Sequence, residues 1–383
     1  MSGTIRIGIV GMGAAGWAFV PAIRGNPAFE LAAIAEPDAA MRETAATETG
    51  AVAYPDLPAM LRDAPLDAVY IATPTELHPD HVAQVCAAKK HVLTEKPMAI
   101  RVEQAQAMVD AAERAGVVLQ VGHSHSYDLP IARMREIVAS GALGRVRMIH
   151  TWNFTDWMAR PRRAAELDVT QGGGVTYRQG AHQIDILRLI GGGLVQSVRA
   201  TTFDWDDSRR SIGAHTIFLN FADGAAATAI YNGYGHLNGA DLVGGVGEWG
   251  ELSRPRATPL PSAALTPEQE LAAKRKRART AIPTNAPHQP HFGLTVMSCE
   301  RGDIRQSPDG LLVYSENGRE EIALPKNKSP RDLVVAEFAD AISGKPTTHT
   351  GRWGLANLEV CAAAIESSRT GKEIELKHQV AVT

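Results

Sequence analysis

A glycine-rich turn in the middle of the chain leads into a stretch with three side chains that could do chemistry together. Residues 172–185 read GGGVTYRQGAHQID, and the pattern predicts one helix over roughly 175–190. Arg178 and His182 are four residues apart and would share a face of that helix, with Asp185 close to the same face. The imidazole could transfer a proton, the carboxylate could orient the imidazole, and the guanidinium could bind an anion.

A lysine in the first third of the chain is a second candidate for proton transfer. Lys96 lies between Glu95 and Pro97, directly after an apolar run. An exposed lysine is protonated at neutral pH, but burial or a nearby cation lowers its pKa and makes it a base. We therefore predict that Lys96 and His182 are the catalytic pair that removes a hydroxyl proton while hydride leaves the carbon. A surface lysine at a turn is the structural alternative.

The elements around Lys96 alternate between apolar strands and helices. This alternation predicts an α/β fold over residues 1–125, a Rossmann-type doubly wound parallel sheet. In such sheets ligands bind beyond the carboxyl ends of the strands. The predicted strands are Ile5–Val10, Leu31–Ala35, Ala68–Ala72, His91–Thr94 and Val117–Val121, and the predicted helices cover roughly 14–24, 38–49, 79–90 and 102–115.

The residues that follow these strands predict a dinucleotide site. Gly11-Met12-Gly13-Ala14-Ala15-Gly16 matches the GxGxxG pattern between a strand and a helix, whose N-terminus would face the pyrophosphate. Glu36 ends the next strand and would accept hydrogen bonds from the adenine ribose, and its charge would repel a 2′-phosphate. NAD is therefore the predicted cofactor, and Arg42 keeps NADP open. The other predicted cofactor residues also follow strands: Thr73, Pro74, His78, Glu95, Lys96, Pro97 and Gly122.

From about residue 126 the alternation stops, and consecutive strands predict an α+β domain over 126–383. After a helix over Ile131–Ser140, hairpin turns at 222–224 and 317–318 indicate an open, mainly antiparallel sheet. Helices near 330–343 and 352–369 complete the domain. The predicted strands are Val146–Phe154, Ser197–Trp205, His215–Phe221, Ala225–Tyr231, Leu294–Glu300, Asp303–Gln306 and Leu311–Tyr314.

Residues 236–292 do not fit this pattern and are interpreted as an irregular insertion. They are rich in Gly, Pro and Ala and include the basic run 274–279, KRKRAR. We interpret the insertion as a solvated excursion that contains a helix, and a contact with a second subunit is the alternative.

Composition excludes several classes of partner. The chain has 383 residues and a net charge of −3, which indicates neither a nucleic-acid partner nor a membrane surface. No apolar run is long enough to span a bilayer, and because residues 1–11 lead directly into a strand-like pattern, no signal peptide is predicted. The three cysteines are scattered, as in a reduced cytoplasmic protein. The histidines at 78, 81, 123 and 125 lack further ligands at metal-binding spacing, so no metal is predicted.

The motifs GIVGMGAAG, TP…H, EKP and GGG…H..D, in this order, resemble those of the Gfo/Idh/MocA oxidoreductases over the whole chain. The resemblance implies a Rossmann domain followed by a sheet domain for substrate binding and for homo-oligomerisation, as a dimer or tetramer. It also implies a nicotinamide ring near Lys96 and the predicted helix over 175–190.

One departure from the family pattern points to the substrate. Polyol-oxidising members resemble GGGxLxDxGxH, whereas this chain has Arg178 in place of the aspartate. A guanidinium suits a carboxylate, so Arg178 and the arginines of RPRR at 160–163 predict an acidic small-molecule substrate. The alternative for Arg178 is an internal ion pair with Asp185, and the alternative for RPRR is a basic surface loop. Trp152 and Trp157 could wall a flat ring. The predicted substrate-binding residues are Arg178, Arg160, Arg162, Trp157, His125 and Asp185.

Three longer segments resemble the bacterial phthalate 4,5-cis-dihydrodiol dehydrogenases. They begin at Thr155 (TDWMARPRRAAELD), at Gly172 and at His291. This resemblance implies NAD-dependent oxidation of a phthalate cis-dihydrodiol to 4,5-dihydroxyphthalate in aromatic-compound degradation. The alternatives are a sugar, inositol or carboxymuconate-semialdehyde dehydrogenase of the same family, or a dinucleotide-binding sensor without turnover.

Overall fold

The computed structural model describes residues 3–253, 265–278, 286–326 and 328–383. The chain divides into two compact units, the first built from residues up to His123, Arg331–Leu358 and the final Thr383, the second from Ser124–Pro330 and Glu359–Val382. The sequence-based division placed 331–358 with the second domain. The segment packs in the first unit, where the Gln120 side chain donates to the carbonyl oxygen of Val334 (3.0 Å) and Phe338 stacks on Phe29.

The first unit contains a six-stranded sheet in the order β3-β2-β1-β4-β5-β6, and all of its neighbouring strands pair in parallel. The predicted Rossmann fold is confirmed. Its strands are β1 (Ile5–Val10), β2 (Phe29–Ala35), β3 (Val52–Tyr54), β4 (Ala68–Ile71), β5 (His91–Thr94) and β6 (Leu119–Val121). Its first helices are α1 (Ala14–Gly25), α2 (Ala39–Thr49), α3 (Leu57–Asp63), α4 (His78–Ala87) and α5 (Val102–Ala115).

Burial and capping explain these elements. Strand β4 is buried along its whole length, as expected for a parallel strand covered by helices on both faces. Helix α2 begins after Asp38, whose carboxylate accepts a hydrogen bond from the Met41 amide (3.1 Å), and ends at Gly50 with a φ of 73°. Strand β3 and helix α3 were not predicted, because the three residues of β3 are exposed or half-buried and form no apolar run.

The second unit is built around a nine-stranded sheet in the order β14-β13-β12-β11-β7-β10-β9-β8-β15. Its described strands pair antiparallel except β7 with β10, so the predicted mainly antiparallel sheet is confirmed. The strands are β7 (Val146–Phe154), β8 (Val195–Phe203), β9 (Ala214–Phe221), β10 (Ala226–Asn232), β11 (Leu294–Cys299), β12 (Gly302–Ser307), β13 (Gly310–Ser315), β14 (Gly318–Ala323) and β15 (Ile374–Glu375). The remaining helices of the chain are α6 (Leu129–Ser140), α7 (Ala164–Leu167), α8 (Gly174–Arg178), α9 (Gly180–Ile190), α10 (Pro267–Ala278), α11 (Pro330–Ile342) and α12 (Gly351–Thr370).

The side chains on the two faces of this sheet differ in how far they are buried. On one face Thr151 is fully buried and contacts Gln183 of α9. On the other face Trp152 and Phe218 keep 38% and 40% of their surface exposed. The strand register places Trp152 and Phe218 on the same face, which is the uncovered face among the described residues, and they share it with the hydrogen-bonded His150 and Thr228. Among the described helices, none has the length and apolar character needed to cross a membrane.

Candidate functional site

The loop after β1 has the backbone geometry of a phosphate-binding turn. Gly11 has a φ of 89°, and a Cβ there would lie 3.0 Å from the carbonyl oxygen of Ala72. At Gly16 a Cβ would lie 2.1 Å from the carbonyl oxygen of Gly11, so only glycine lets α1 start this close to the strand. Gly13 has open space beside it and provides no side-chain cap for α1. The helix N-terminus is therefore accessible to an anion.

The residues between these glycines contribute mainly through their backbone. Met12 has no exposed surface, whereas Ala14 is exposed and Ala15 is half-buried. The Met12 amide donates a 2.8 Å hydrogen bond to Oε2 of Glu36, and the Asp38 amide donates to Oε1 (3.1 Å). Because a carboxylate accepts about four hydrogen bonds, Glu36 can hold the glycine loop and still accept from ribose hydroxyls. Arg42 uses its guanidinium on the carbonyl oxygens of Glu36 and Pro37.

The loops after β4 and β5 are linked by a histidine. His78 is buried, with Nε2 2.9 Å from the carbonyl oxygen of Thr73 and Nδ1 3.1 Å from that of Pro97. Pro74 lies half-buried between Thr73 and the start of α4. His78, which was predicted as a cofactor residue, therefore connects two loops at the carboxyl edge of the sheet.

Lys96 is anchored through its backbone. Its amide donates to Oε2 of Glu95 (3.2 Å), whose Oε1 accepts a 2.7 Å hydrogen bond from the buried Tyr70 hydroxyl. The Lys96–Pro97 peptide bond is cis. A Cβ on Gly122, at the end of β6, would lie 3.7 Å from Oε1 of Glu95. All the predicted cofactor residues therefore lie at the carboxyl edge of one sheet, and their geometry fits a dinucleotide.

The helix predicted over 175–190 is two helices in the structure. Helix α8 ends at Arg178, α9 begins at Gly180, and Gln179 between them has a φ of −117°. Gly180 fits there because a Cβ would lie only 3.1 Å from the ring of His215. The prediction of one continuous helix over 175–190 is therefore wrong at Gln179, and the shared face of Arg178 and His182 stays a prediction.

A buried network fixes α9 against the sheet. The ring nitrogens of His215 lie 3.1 Å from the Thr176 hydroxyl and 3.0 Å from Oε1 of Gln183. The Gln183 amide group in turn donates to the Thr151 hydroxyl (3.0 Å) and to the carbonyl oxygen of Ile230 (3.0 Å). Burial lowers the pKa of His215 to about 3, so this imidazole is neutral and serves as a structural hydrogen-bonding group.

The side chain of His182 lies in a buried aromatic cluster. Its ring meets that of His125 edge-on, with the ring centroids 4.7 Å apart, and Phe292 lies 4.5 Å from His125 and 4.9 Å from His182. Trp249 covers His125 at 5.1 Å. The cluster brings together two histidines that are far apart in sequence. His125, which the prediction placed at the end of the first domain, belongs to the second unit.

Two carboxylates hold His125 in its charged form. Nδ1 lies 3.1 Å from Oδ2 of the fully buried Asp128, and Nε2 lies 3.5 Å from Oε1 of Glu248. Burial alone would lower the pKa of His125, but Asp128 and Glu248 outweigh burial and raise it to about 9. The cluster therefore contains a protonated imidazole at neutral pH.

Two of the predicted arginines lie near this cluster and differ in their pairing. Nε of Arg160 donates to Asp156 (2.7 Å), and Glu248 lies 4.0 Å from Nη1. The guanidinium carbon of Arg162 lies 4.2 Å above the ring of Trp157, and Nη2 reaches only the Trp157 carbonyl oxygen at 3.5 Å. Within the described ranges Arg162 forms no ion pair, and its buried Nε has no hydrogen-bond partner. Burial lowers the pKa of Arg162 to about 10, so it stays protonated at neutral pH.

Other predicted substrate residues occupy different environments. Asp185 is fully buried and has no exposed surface that a substrate could contact. Burial lowers the pKa of the neighbouring Arg188 to about 9, and the charge of Asp185 partly opposes this decrease. Arg178 is half-buried at the end of α8. Trp157 is fully buried beneath Arg162, so it supports the guanidinium and does not line an open surface. Trp152 lies on the uncovered face of the sheet and so does not join Trp157 in a common wall.

The sequence analysis missed the residues that the insertion contributes. Glu248 and Trp249 lie between Gly247 and Gly250, in a stretch that was interpreted as a surface excursion. The sequence signal that could have indicated them was an acidic and an aromatic residue placed between two glycines. The insertion also contains α10, and Lys274, part of the basic run taken as solvated, pairs with Glu166. Residues 254–264 and 279–285 of the insertion lie outside the described residues.

The histidines that suggested a metal have other neighbours. The Thr73 hydroxyl lies 3.1 Å from Nδ1 of His81, and the Asn357 side-chain amide lies 3.2 Å from Nε2 of His123. In the part of the chain that the structure describes, no three His, Cys, Asp or Glu side chains are grouped so that they could hold a metal ion.

Comparison with known proteins identifies the class. Residues 5–123 match the oxidoreductase family with an NAD-binding Rossmann fold, and residues 131–238 match the GFO/IDH/MocA C-terminal domain. The chain belongs to the Gfo/Idh/MocA oxidoreductase family. It is therefore an NAD-dependent oxidoreductase, and the carboxyl edge of the six-stranded sheet is where this fold binds NAD.

Similar proteins extend over almost the whole chain. The 1-carboxy-3-chloro-3,4-dihydroxycyclohexa-1,5-diene dehydrogenase of Comamonas testosteroni is 37% identical over 381 residues, 95% of each chain. A solved structure from Bordetella bronchiseptica RB50 is 36% identical, covers 98% of this chain and 100% of its own, and has a TM-score of 0.92. An Agrobacterium radiobacter oxidoreductase, solved with NAD+, L-tartaric acid and magnesium, shares the fold at 21% identity over 97% of this chain and 98% of its own, with a TM-score of 0.74.

Proposed function

We propose that this dehydrogenase oxidises a carboxylated cyclic cis-dihydrodiol to a catechol, and that the diol is the phthalate cis-dihydrodiol that yields 4,5-dihydroxyphthalate. The observation that carries this proposal is Arg162, a guanidinium buried against Trp157 that forms no ion pair with a described residue. The nearby Glu166 carboxylate attracts this cation without forming a described ion pair, and a substrate carboxylate would add two parallel hydrogen bonds to the buried guanidinium. The Comamonas testosteroni relative is named for a ring with both a carboxyl group and two hydroxyl groups.

The charges around Arg162 favour an anionic substrate further. His125 is protonated, and Arg160 lies between the carboxylates of Asp156 and Glu248. The buried Tyr231 responds to the charges of Arg160 and Arg162, which work against the rise in its pKa that burial causes. This group of cations beside the aromatic rings of the cluster suits a flat ring with an acid substituent.

The proposed chemistry is the oxidation of one hydroxyl-bearing carbon of the diol, which must lose a hydride and a hydroxyl proton. NAD+, held by the glycine loop and Glu36, would supply the acceptor for the hydride of the carbinol carbon. Lys96 takes the hydroxyl proton, and its backbone amide is fixed by the hydrogen bond to Glu95. His182 donates a hydrogen bond to the substrate oxygen or accepts from it, and its ring is held in place by Phe292 and His125. The resulting hydroxydienone then loses the proton on its remaining carbinol carbon while its carbonyl oxygen gains a proton, which gives the catechol, and aromatisation makes the oxidation favourable.

Other substrates of the same family satisfy the site less well. A sugar or an inositol has no carboxylate and would form no ion pair with the buried guanidinium of Arg162. A carboxymuconate semialdehyde would satisfy Arg162 but offers an aldehyde hydrate as the hydride donor and has no aromatisation to drive the reaction. A sensor without turnover would not need the base at Lys96 beside the cofactor loops.

The test is a substrate comparison that follows NADH absorbance. Purified protein receives NAD+ with the phthalate cis-dihydrodiol, a monocarboxylated cis-dihydrodiol, the carboxyl-free cis-dihydrodiol, myo-inositol or glucose. We expect kcat/KM to be highest for a carboxylated diol and at least about 100-fold lower for the carboxyl-free ring, since a charged hydrogen-bonded pair contributes about 3 kcal/mol. Turnover of inositol or glucose in preference to the carboxylated diols would overturn the proposal.

A further inference from the structure

Helix α10 of the insertion contacts the segment that carries Arg162. Glu270 accepts a 2.6 Å hydrogen bond from the backbone amide of Arg162 through Oε2. Through Oε1 it accepts a 2.6 Å hydrogen bond from Arg209, whose other terminal nitrogen donates to the carbonyl oxygen of Arg160 (3.2 Å). Glu270 has only 10% of its side chain exposed. One carboxylate thus fixes the chain on both sides of Pro161.

A second contact from the same helix lies one turn further on. Lys274, four residues after Glu270 and on the same face of α10, pairs with Glu166. Oε2 of Glu166 also accepts from the Arg163 amide (2.8 Å). Burial would raise the pKa of Glu166, but Lys274 and Arg162 outweigh burial and lower it to about 2, so the carboxylate is ionised at neutral pH. Two charged contacts therefore hold the same short segment.

We propose that α10 is a specificity element, in which Glu270 and Lys274 are positioning residues that hold the Arg162 guanidinium ready for the substrate carboxylate. This inference rests on the proposed function, because it needs an acidic substrate. The contacts of Glu270 and Lys274 are to the backbone around Arg162 or to its neighbours, and neither side chain forms a described ion pair with the Arg162 guanidinium. The match to the family's C-terminal domain ends at residue 238, before α10 begins.

The experiment compares Glu270→Gln with Glu268→Gln. Glu268 lies on the same helix and is exposed, so it is a matched control for loss of charge on α10. In Glu270→Gln we expect KM for the carboxylated cis-dihydrodiol to rise about tenfold, because small displacements of a binding group are costly. We expect kcat, KM for NAD+ and KM for the carboxyl-free diol to change less than about twofold.

A double-mutant cycle separates positioning from general destabilisation. On an Arg162→Gln background, Glu270→Gln should have no further effect on KM, because the group that it positions is gone. Lys274→Met is the second variant, and it should raise KM in the same substrate-selective way if Glu270→Gln folds poorly. An equal rise in KM for both diols, or an effect that persists without Arg162, would overturn the inference. If wild-type protein does not oxidise the carboxylated diol, the proposed function fails as well, which the wild-type assay alone reveals.

Discussion

The guanidinium carbon of Arg162 lies 4.2 Å above the indole ring of the fully buried Trp157. A cation over an aromatic face is stabilised by the quadrupole of the ring, and the ring leaves the edge of the guanidinium free to bind an anion. The tryptophan therefore orients the arginine without neutralising it. In the proposed function, this pairing holds the cation where a substrate carboxylate would bind it.

Replacing Arg162 should affect substrate binding far more than catalysis. We expect Arg162→Gln to raise KM for the carboxylated diol about 30- to 100-fold, equivalent to about 2–3 kcal/mol for a charge-assisted hydrogen-bonded pair. The kcat value and KM for NAD+ should stay close to those of the wild type. Steady-state kinetics followed by NADH absorbance measures this split, with Arg210→Gln, a mostly exposed arginine, as the control. An unchanged KM would remove Arg162 from substrate binding.

Replacing Lys96 should affect catalysis and spare the cofactor. Lys96→Met keeps the backbone amide that donates to Glu95, so the loop should retain its shape. We expect kcat to fall about 10²- to 10⁴-fold, the range for loss of a general base, while Kd for NADH changes little. Cofactor fluorescence and steady-state turnover measure the two quantities, and Lys345→Met serves as the control because Lys345 is 65% exposed. A variant with full activity would exclude Lys96 from the mechanism.

Glu36 should determine the choice between NAD and NADP. Its carboxylate accepts a hydrogen bond from the Met12 amide, and the negative charge would repel a 2′-phosphate. We expect wild-type protein to use NAD+ at least about tenfold better than NADP+ by kcat/KM, and Glu36→Gln to reduce that ratio severalfold while KM for NAD+ rises. Parallel assays with both cofactors give the ratio. The same cofactor preference in both proteins would show that another residue discriminates.

The charged state of His125 should make stability depend on pH. Its pKa of about 9 in the folded protein exceeds the unfolded value of 6.5, so the stabilisation is complete below pH 6.5 and is lost as pH rises through 9. Between pH 6.5 and pH 9.5 we expect the free energy of unfolding of wild-type protein to fall about 2–3 kcal/mol more than that of His125→Gln. Urea titrations at several pH values measure this difference, with the exposed His236→Gln as control. Parallel pH profiles for wild type and His125→Gln would contradict a buried imidazolium.

The uncovered face of the nine-stranded sheet is our candidate for the predicted homo-oligomer interface. Trp152, Phe218 and Met148 lie on this face and are at least 38% exposed. Apolar surface of this kind is typical of interfaces between subunits. We expect light scattering to give a dimer or tetramer for wild-type protein and a smaller species for Phe218→Lys. The kcat/KM value of Phe218→Lys is measured in parallel. A monomeric wild-type protein would contradict the sequence prediction.

Much of the first unit could be predicted from the chain alone. The bounds of β1 and β5 agree with the predicted strands, and the glycines and Glu36 lie where the GxGxxG pattern requires. These features are local, because an apolar run between turn residues is enough to predict a buried strand. The residues that follow parallel strands then lie at the same edge of the sheet. The short edge strand β3 was missed because it has no such run.

The arrangement of charges in the second unit needed the tertiary structure. The sequence predicted Arg160, Arg162, His125 and His182 as candidate site residues, because their residue types and their positions within or beside motifs can be seen in the chain. Only the fold decided that Gln179 interrupts the helix, that Glu248 from the insertion reaches His125, and that Glu270 holds the Arg162 backbone. The physical reason is that local periodicity records which face a residue occupies, whereas the partner of a buried charge is chosen by packing between distant segments.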